Sequence, residues 1–339
     1  GVHQGVRQGP PAPHHQRLPV TAVAPSGGPI AASRGAGAAA LALAGVLFGS
    51  TFLVVQDAVE RASVTAFLAA RFLLAAAVLW PIARRRPSSI DEVRHGVLAG
   101  LSLLAGYLLQ TEGLRHTTSA TSAFITYLLV VLVPLLHSAR TRRPPTGAVV
   151  VGVVLSVAGL LLRSGGVAGF GRGEVLTLLC ALAFAVHLLI VGDVTHRHDP
   201  FRFTLWQVAT VGLACLVPGA LSDGGFAFDG GVWAAVAFTA VGATALAFWC
   251  MAWGQRVVPE AQAALILLLE PVSAGLLGEI TGEHLGASGA LGAVLILAGV
   301  VVAELFGRRL PGAGVPLPTE LGAPVDGPDL DLGTGPGSG

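Results

Sequence analysis

Charge is scarce in this chain. Of its 339 residues only 12% are charged and 53% are hydrophobic, and the mean hydropathy is +0.74. A soluble globular domain carries about 25% charged residues, because water must solvate its surface. The shortage excludes an ordinary soluble enzyme and a disordered chain, and it indicates a membrane protein with many spans.

Two further shortages exclude other classes of protein. The 20 basic and 19 acidic residues leave a net charge of only +1, which gives no reason to expect nucleic acid as a partner. The three cysteines, Cys180, Cys215 and Cys250, lie in apolar runs without metal-binding spacing, so we predict neither a disulfide framework nor a metal site. Nucleotide-binding loops and known catalytic motifs are also missing from the sequence, and we predict no cofactor and no catalytic residue.

Long apolar runs fill the middle of the chain. Runs of ~17–23 residues alternate with short polar breaks, and ~20 apolar residues in a helix span the hydrocarbon core of a bilayer. The sequence therefore predicts an all-α polytopic membrane protein with ten transmembrane helices. Their expected spans are 38–57, 64–82, 96–114, 119–137, 146–162, 174–192, 203–221, 231–253, 260–280 and 286–305. Residues 1–36 and 307–339 lack any hydrophobic period and are predicted to be disordered tails.

The arginines predict the orientation. With a cytoplasmic N-terminus, fifteen arginines of the tails and loops lie on the cytoplasmic side and only Arg61, Arg115, Arg163 and Arg172 lie on the other. Cytoplasmic loops carry an excess of basic residues, so this orientation is favoured, with both termini in the cytoplasm.

The two halves of the chain resemble each other. An offset of 141 residues aligns Gly113 with Gly254, Arg115 with Arg256 and Ile125 with Ile266. We predict two five-helix repeats, 37–163 and 172–306. Since five is odd, the second repeat is inserted upside down, which is the plan of many secondary transporters with a site near the bilayer midplane.

Several short motifs carry a family resemblance. The first half contains Phe48-Gly49-Ser50-Thr51-Phe52, Arg71-Phe72 and a run from Gln110 to Pro134, and the second contains Leu269-Glu270-Pro271-Val272 and Gly278-Glu279. Over residues 38–306 these resemble the two EamA-type repeats of the drug/metabolite transporter superfamily, although the usual pattern has Trp where Phe48 stands. The resemblance implies transport of small metabolites, amino acids or drugs, often outward, and a bacterial inner membrane as the location.

Two ionisable residues lie near the middle of predicted spans. Charge in the hydrocarbon core needs a partner or a wet cavity, so Arg71 and Glu270 are the main candidates for substrate binding or proton coupling. Glu270 would couple protons or bind an amine, and Arg71 would bind a carboxylate or phosphate. The alternative for Arg71 is a structural role in helix packing. Pro271 deletes a backbone hydrogen bond beside Glu270 and predicts a kinked or broken helix there.

Other polar and aromatic residues in the spans are weaker candidates. Ser122 and Thr126 share one helix face, and they, Gln110 and Gln262 either line a cavity or join helices by hydrogen bonds. His187 relays protons or simply bonds a neighbour. Tyr127, Gln207 and Trp249 are candidates for contacts to a flat substrate. Pro134 is expected to end its helix, and Gly96, Gly100 and Gly106 are expected to allow close helix packing.

A transporter is the function that these features favour. The alternatives are a membrane-embedded enzyme, with Glu270, His187 and Arg71 acting on a lipid-linked substrate, and a membrane scaffold that transports nothing. A transporter needs a small-molecule substrate and the lipid bilayer as partners, with a coupling ion such as the proton. The sequence leaves the substrate, the direction, the coupling ion and the oligomeric state open.

Overall fold

The structure is a computed structural model. It describes residues 34–85, 87–163, 170–194, 197–247 and 260–307, together with the single residues 1, 166, 250, 254, 257 and 258. Most of the two predicted tails lies outside these residues. The structured part belongs to one compact unit, Ser33–Gly339, whereas of the separate unit Gly1–Ala32 only Gly1 is described.

All regular secondary structure in the described ranges is helical. A π-helical segment, Phe238–Leu246, continues directly from the ninth α-helix. The α-helices are α1 (Arg34–Arg61), α2 (Val64–Ala83), α3 (Ile90–Leu114), α4 (Ser119–Thr126), α5 (Leu129–Thr141), α6 (Gly147–Arg163), α7 (Arg172–Val194), α8 (Pro200–Ala220), α9 (Gly230–Ala237), α10 (Glu260–Leu267), α11 (Leu269–Ile280) and α12 (Gly286–Phe306).

Short polar side chains define where several helices begin. The hydroxyl of Ser63 accepts from the Ala66 amide at the start of α2, and that of Ser89 accepts from Glu92 at the start of α3. Asp199 and Asp229 cap α8 and α9 in the same way. Such residues satisfy amides that have no partner inside the helix, so the loop sequences set the helix boundaries.

Seven helical stretches are long and apolar enough to cross a membrane. They are α1, α2, α3, α4 together with α5, α7, α8 and α12. Of the other three predicted spans, α6 has 17 residues, α10 and α11 are separated by Leu268, and α9 with its π-helical continuation is followed by residues outside the described ranges. The all-helical membrane architecture is therefore confirmed, and the count of ten spans stays a prediction.

Pro134 does not end its helix, contrary to the sequence-based expectation. It lies inside α5, which continues to Thr141. A proline inside a helix removes one amide donor, here the one that would bond the Val130 carbonyl. The interruption of this span lies earlier, at Tyr127 and Leu128, where the sequence has neither proline nor glycine.

The helices pack in reciprocal pairs. α6 packs on α12 and α2 on α8, while α3 contacts both α7 and α8. In addition, α1 packs against α10 and α11, and α7 packs against α4 and α5. When the first five predicted spans are swapped with the second five, the α6–α12 and α2–α8 pairs map onto themselves. The contact of α1 with α10 and α11 then exchanges with that of α7 with α4 and α5.

Glycines allow the closest of these approaches. A Cβ on Gly159 would lie 2.5 Å from the Gly292 carbonyl oxygen, and a Cβ on Gly152 would lie 2.6 Å from that of Gly299. On α3, Gly96, Gly100 and Gly106 face Trp206, Thr210 and Phe184 in the same way, which confirms the packing role predicted for them. Small residues let helix backbones approach closely where the bilayer supplies no hydrophobic driving force.

We expect Gly159→Ala to destabilise the protein by about 1–3 kcal/mol, the usual cost of an extra methyl group in a filled core. The new Cβ would lie against the backbone of α12, which cannot rotate away as a side chain can. Thermal unfolding in detergent measures the effect. Gly147→Ala on the same helix is the control, because nothing lies within 4 Å of a Cβ there. Equal melting temperatures for the two variants would contradict this account of the α6–α12 contact.

Candidate functional site

Two interrupted helices define the candidate site. α4 and α5 are separated by Tyr127 and Leu128, and α10 and α11 are separated by Leu268. At both breaks a backbone amide donates to the carbonyl three residues back instead of four, as in a 3₁₀ turn. The Leu128 amide donates to the Ile125 carbonyl (3.1 Å), and the Leu268 amide donates to the Leu265 carbonyl (3.3 Å). α4 and α10 have eight residues each and lie 141 residues apart, the offset that aligns the two halves of the sequence.

Glu270 lies at the second break, in the first turn of α11. The next residue is Pro271, which has no amide to donate to the Leu267 carbonyl, so the backbone is under-bonded beside the carboxylate. Gly49 of α1 packs directly against the Glu270 carbonyl and Ser273. A side chain on Gly49 would collide with this backbone, which explains a glycine within the Phe48–Phe52 motif. The Ser273 hydroxyl donates to the Glu270 carbonyl at 3.0 Å.

Arg71 lies inside the helix bundle on α2. It is 5% exposed, and its guanidinium carbon lies 5.1 Å from the ring centre of Phe72 and 4.9 Å from that of Tyr107. Aromatic rings attract a cation at these distances, and the attraction strengthens where water is excluded. The Nε atom of Arg71 is buried and has no hydrogen-bond partner among the described residues. One donor of this guanidinium therefore remains available.

Tyr107 lies against Arg71, and it is not among the residues that the sequence marks as candidates. It lies on α3, and its hydroxyl interacts electrostatically with both Arg71 and Glu270. Its ring meets Phe72 and Phe184 edge to face, with ring centres 4.7 and 5.2 Å apart. The available signal was composition: the chain has only two tyrosines, and both Tyr107 and Tyr127 lie close to Glu270.

Polar side chains of the first interrupted helix extend this cluster. The Gln110 amide donates to the Thr126 hydroxyl at 3.2 Å, and Thr126 also contacts the Cys180 thiol. Cys180 in turn lies near Tyr107. The Ser122 and Thr177 hydroxyls are 3.4 Å apart and both side chains are fully buried. The structure thus joins Gln110 and Thr126 to the Arg71–Tyr107–Glu270 cluster, while Ser122 joins α4 to α7.

The remaining candidates lie apart from the cluster or outside the described residues. His187 Nδ1 lies 2.9 Å from the Ala99 carbonyl oxygen, so this nitrogen is the donor, and the side chain fastens α7 to α3. Gln207 is buried and donates to the Phe203 carbonyl on its own helix at 3.4 Å. Gln262 is exposed. Trp249 lies outside the described residues.

Hydrogen bonds and ion pairs join the loops on one face of the bundle. We call this face the Glu283 face and define it by residues 56–61, 112–119, 171–174, 229 and 279–285. Gln56 donates to the Thr117 carbonyl at 3.1 Å, and the Thr117 hydroxyl donates to Glu174 at 2.5 Å. Arg61 pairs with Asp229 at 2.9 Å, and the hydrogen bonds from the Val232 amide and from Arg61 lower the pKa of Asp229.

A second set of contacts joins the opposite face, the Glu92 face, defined by residues 84–85, 87–95, 137–146, 193–194 and 197–206. The buried Glu92 carboxylate accepts from Arg202 at 2.8 Å and from the Asp199 amide at 3.0 Å. His95 and His198 share a hydrogen bond of 2.9 Å, and burial, followed by the neighbouring His95, lowers the pKa of His198. These bonds fix the start of α3 to the start of α8.

The arrangement favours binding over catalysis. The Arg71 guanidinium lies over the Tyr107 ring, and Glu270, beside a proline at a helix break, is near enough to Tyr107 for an electrostatic interaction. Such a cluster can bind both ends of a molecule that carries opposite charges, and it can hold a proton on the carboxylate. Among the described residues no group of three His, Cys, Asp or Glu side chains could hold a metal ion.

Comparisons with known proteins identify the family. The model of the EamA-like transporter family matches the chain twice, over residues 35–165 and 171–305. An uncharacterized transporter of Archaeoglobus fulgidus is 30% identical over 78% of this chain and 84% of its own length. A second uncharacterized transporter of the same organism is 25% identical over 79% of this chain and 96% of its own length.

A solved structure shares the fold. That structure, described only as the crystal structure of a protein, superimposes with a TM-score of 0.57 over 82% of this chain and 99% of its own, at 21% identity. At this identity the likeness concerns the fold alone. The family model covers more than half of the chain and the first relative is similar along most of its length. The chain therefore belongs to the EamA-like transporter family and is a multi-pass membrane protein.

Proposed function

We propose that this protein is a secondary transporter that exports small metabolites, amino acids or drug-like compounds. One observation carries the proposal: two helices are interrupted at corresponding places in the two halves of the chain, at Tyr127–Leu128 and at Leu268, and Glu270 lies beside the second break. Interrupted helices at corresponding positions of two repeats are the best structural pointer to a transport site near the bilayer midplane.

Alternating access between two inverted repeats follows from the same symmetry. The repeats are 37–163 and 172–306, and the reciprocal helix pairs support them. The glycine contacts support the repeats too. An offset of 140 residues relates Gly152 to Gly292 and Gly159 to Gly299. The observed contacts are crosswise, since Gly152 meets Gly299 and Gly159 meets Gly292. Such swapped contacts are what a two-fold axis between the repeats produces.

The chemistry of the site suggests a role for each charged residue. Arg71 binds the anionic group of a substrate through the donors that its aromatic neighbours leave free. Glu270 carries the coupling proton or binds a cationic group, and Pro271 keeps the helix beside it open. Tyr107 hydrogen-bonds either charged group, so that a change in the charge or the ligand of one group alters the hydrogen bond to the other.

The arginine distribution supports a location and an orientation. The Glu92 face includes Arg84, Arg94 and Arg140, and basic loops favour the cytoplasmic side. We place this face and both termini in the cytoplasm, the Glu283 face outside, and the protein in a bacterial inner membrane. Transport would use an ion or substrate gradient, with the proton as the coupling ion.

The two alternative functions have less support. An enzyme built on Glu270, His187 and Arg71 would need the imidazole near the carboxylate, but His187 bonds the Ala99 carbonyl of α3 and the Ser102 hydroxyl. A scaffold would have no use for a buried guanidinium with an unused donor, which is costly in the membrane. We therefore propose a transporter that is not an enzyme.

We expect Glu270→Gln to abolish uptake driven by a pH gradient and to spare substrate counterflow, since the amide keeps the shape but cannot carry the proton. The purified protein is reconstituted in liposomes, substrates are found by thermal stabilisation, and transport of each hit is followed with and without the gradient. Glu60→Gln at the exposed end of α1 is the control. Full gradient-driven uptake by the Glu270→Gln protein would exclude the coupling role.

We expect Tyr107→Phe to weaken substrate binding ~5–10-fold, the usual effect of one lost hydrogen bond. The Phe ring still stacks on Arg71 and packs against Phe184, so the melting temperature without substrate should hardly change. Arg71→Gln should weaken anionic substrates more strongly than neutral ones. Equal affinity of the wild type and both variants for every substrate would place these residues outside the binding site.

A further inference from the structure

Two histidines bond each other on the Glu92 face. His95 lies in the second turn of α3, and His198 lies in the loop just before α8. Nδ1 of His95 is 2.9 Å from Nε2 of His198, and the two ring centres are 5.1 Å apart. A hydrogen bond between two ring nitrogens needs one N–H and one free lone pair. The bond therefore exists only while at least one of the two rings is neutral.

The surroundings build His198 into the joint between α3 and α8. Its ring stacks on that of Phe203, with ring centres 5.6 Å apart, and Phe203 is buried against α3 and α7. The next residue, Asp199, caps α8 with its side chain and donates its amide to Glu92 of α3. A displacement of His198 would therefore reach both the first turn of α8 and its contact with α3.

Charged side chains of the neighbouring elements surround the pair. They are Asp91 and Glu92 of α3, and Arg197, Asp199 and Arg202 at the start of α8. On α7, which also packs against α3, Asp193 is paired with Arg140 instead. Burial, followed by the neighbouring His95, lowers the pKa of His198, although the two carboxylates of α3 act in the opposite direction.

The lowered pKa sets the sign of the pH dependence. The folded protein favours neutral His198, whereas the unfolded chain takes up a proton near the ordinary pKa of histidine, about 6.5. The contact therefore contributes stability above about pH 6.5 and loses it as the pH falls below that value. Arg202 bonds Glu92 across the same joint, so losing the histidine contact loosens the start of α8 without detaching the helix.

We propose that His95 and His198 form a proton-binding site that loosens the Glu92 face when the pH falls. While at most one ring is an imidazolium, the two rings bond and fasten the start of α8 to α3. Once both rings are protonated, two cationic N–H groups face each other, so the rings separate and the first turn of α8 is released. The site is distinct from the coupling role proposed for Glu270 and does not depend on the transport function.

Hydrogen exchange of the full chain in lipid nanodiscs tests this site at about pH 8 and about pH 5, the limits between which histidine titrates. Each rate is divided by the exchange rate of a free amide at the same pH. We expect the amides of residues 199 and 201–204 in the wild type to lose ~10-fold of their protection at the lower pH, the effect of one lost hydrogen bond.

Two variants keep the bond but remove its titration. In His95→Asn the side-chain amide takes the place of Nδ1, and in His198→Gln it takes the place of Nε2. An amide both donates and accepts, so it can bond the remaining imidazole in either protonation state, and we expect these variants to lose less than ~2-fold of their protection.

The matched control is His284→Gln, because the His284 imidazole is exposed on the Glu283 face and bonds Glu279. This variant should lose protection at the start of α8 as the wild type does. Either folded variant of the pair decides the question, so the failure of one to fold leaves the other to test it. A loss as large in the variant as in the wild type would overturn the proposal, and so would a wild type without any loss.

Discussion

Backbone hydrogen bonding in hydrocarbon is the constraint on which the rest of this structure depends. Inside a bilayer, an amide or carbonyl that loses its helical partner finds no water, and each such group costs several kcal/mol. Yet two helices of this chain are interrupted, at Tyr127–Leu128 and at Leu268. Breaks of this kind are tolerated only where protein or a water-filled cavity surrounds them. Much of the packing around both breaks serves to provide those surroundings.

The neighbouring helices enclose the two helix breaks in different ways. On one side, Gly49 brings the backbone of α1 against the start of α11. On the other side, the buried hydroxyls of Ser122 and Thr177 join α4 to α7. The buried charge is accommodated by similar means, since Arg71 lies against two aromatic rings that also pack on their neighbours. At these three places, buried polar groups lie against helices that are already closely packed.

The sequence marks the charged residues of the candidate site and gives little indication of the residues around them. Arg71 and Glu270 stand out because ionisable residues are rare in apolar runs, and Pro271 signals a weakened helix by its missing amide. Tyr107 gives no such signal, since its ring is compatible with a span and its partners lie on other helices. The break at Tyr127 has no proline or glycine to mark it, whereas Pro134 is conspicuous and lies inside a continuous helix. Gln262 appeared equivalent to the buried polar residues of α4, but it is exposed.

Repeats within a single chain have a consequence for how the two faces differ. If the five-helix unit were a separate polypeptide that assembled as an antiparallel homodimer, every residue would occur once on each side of the membrane. Any substitution would then alter both sides together. Joining the two copies in one gene removes that restriction. Glu283 follows α11 and Arg143 follows α5 with the same backbone bond to the residue five positions back, yet the two residues carry opposite charges. A fused chain can therefore give the two faces of the bundle different chemistry, although both halves of the chain match the same family model.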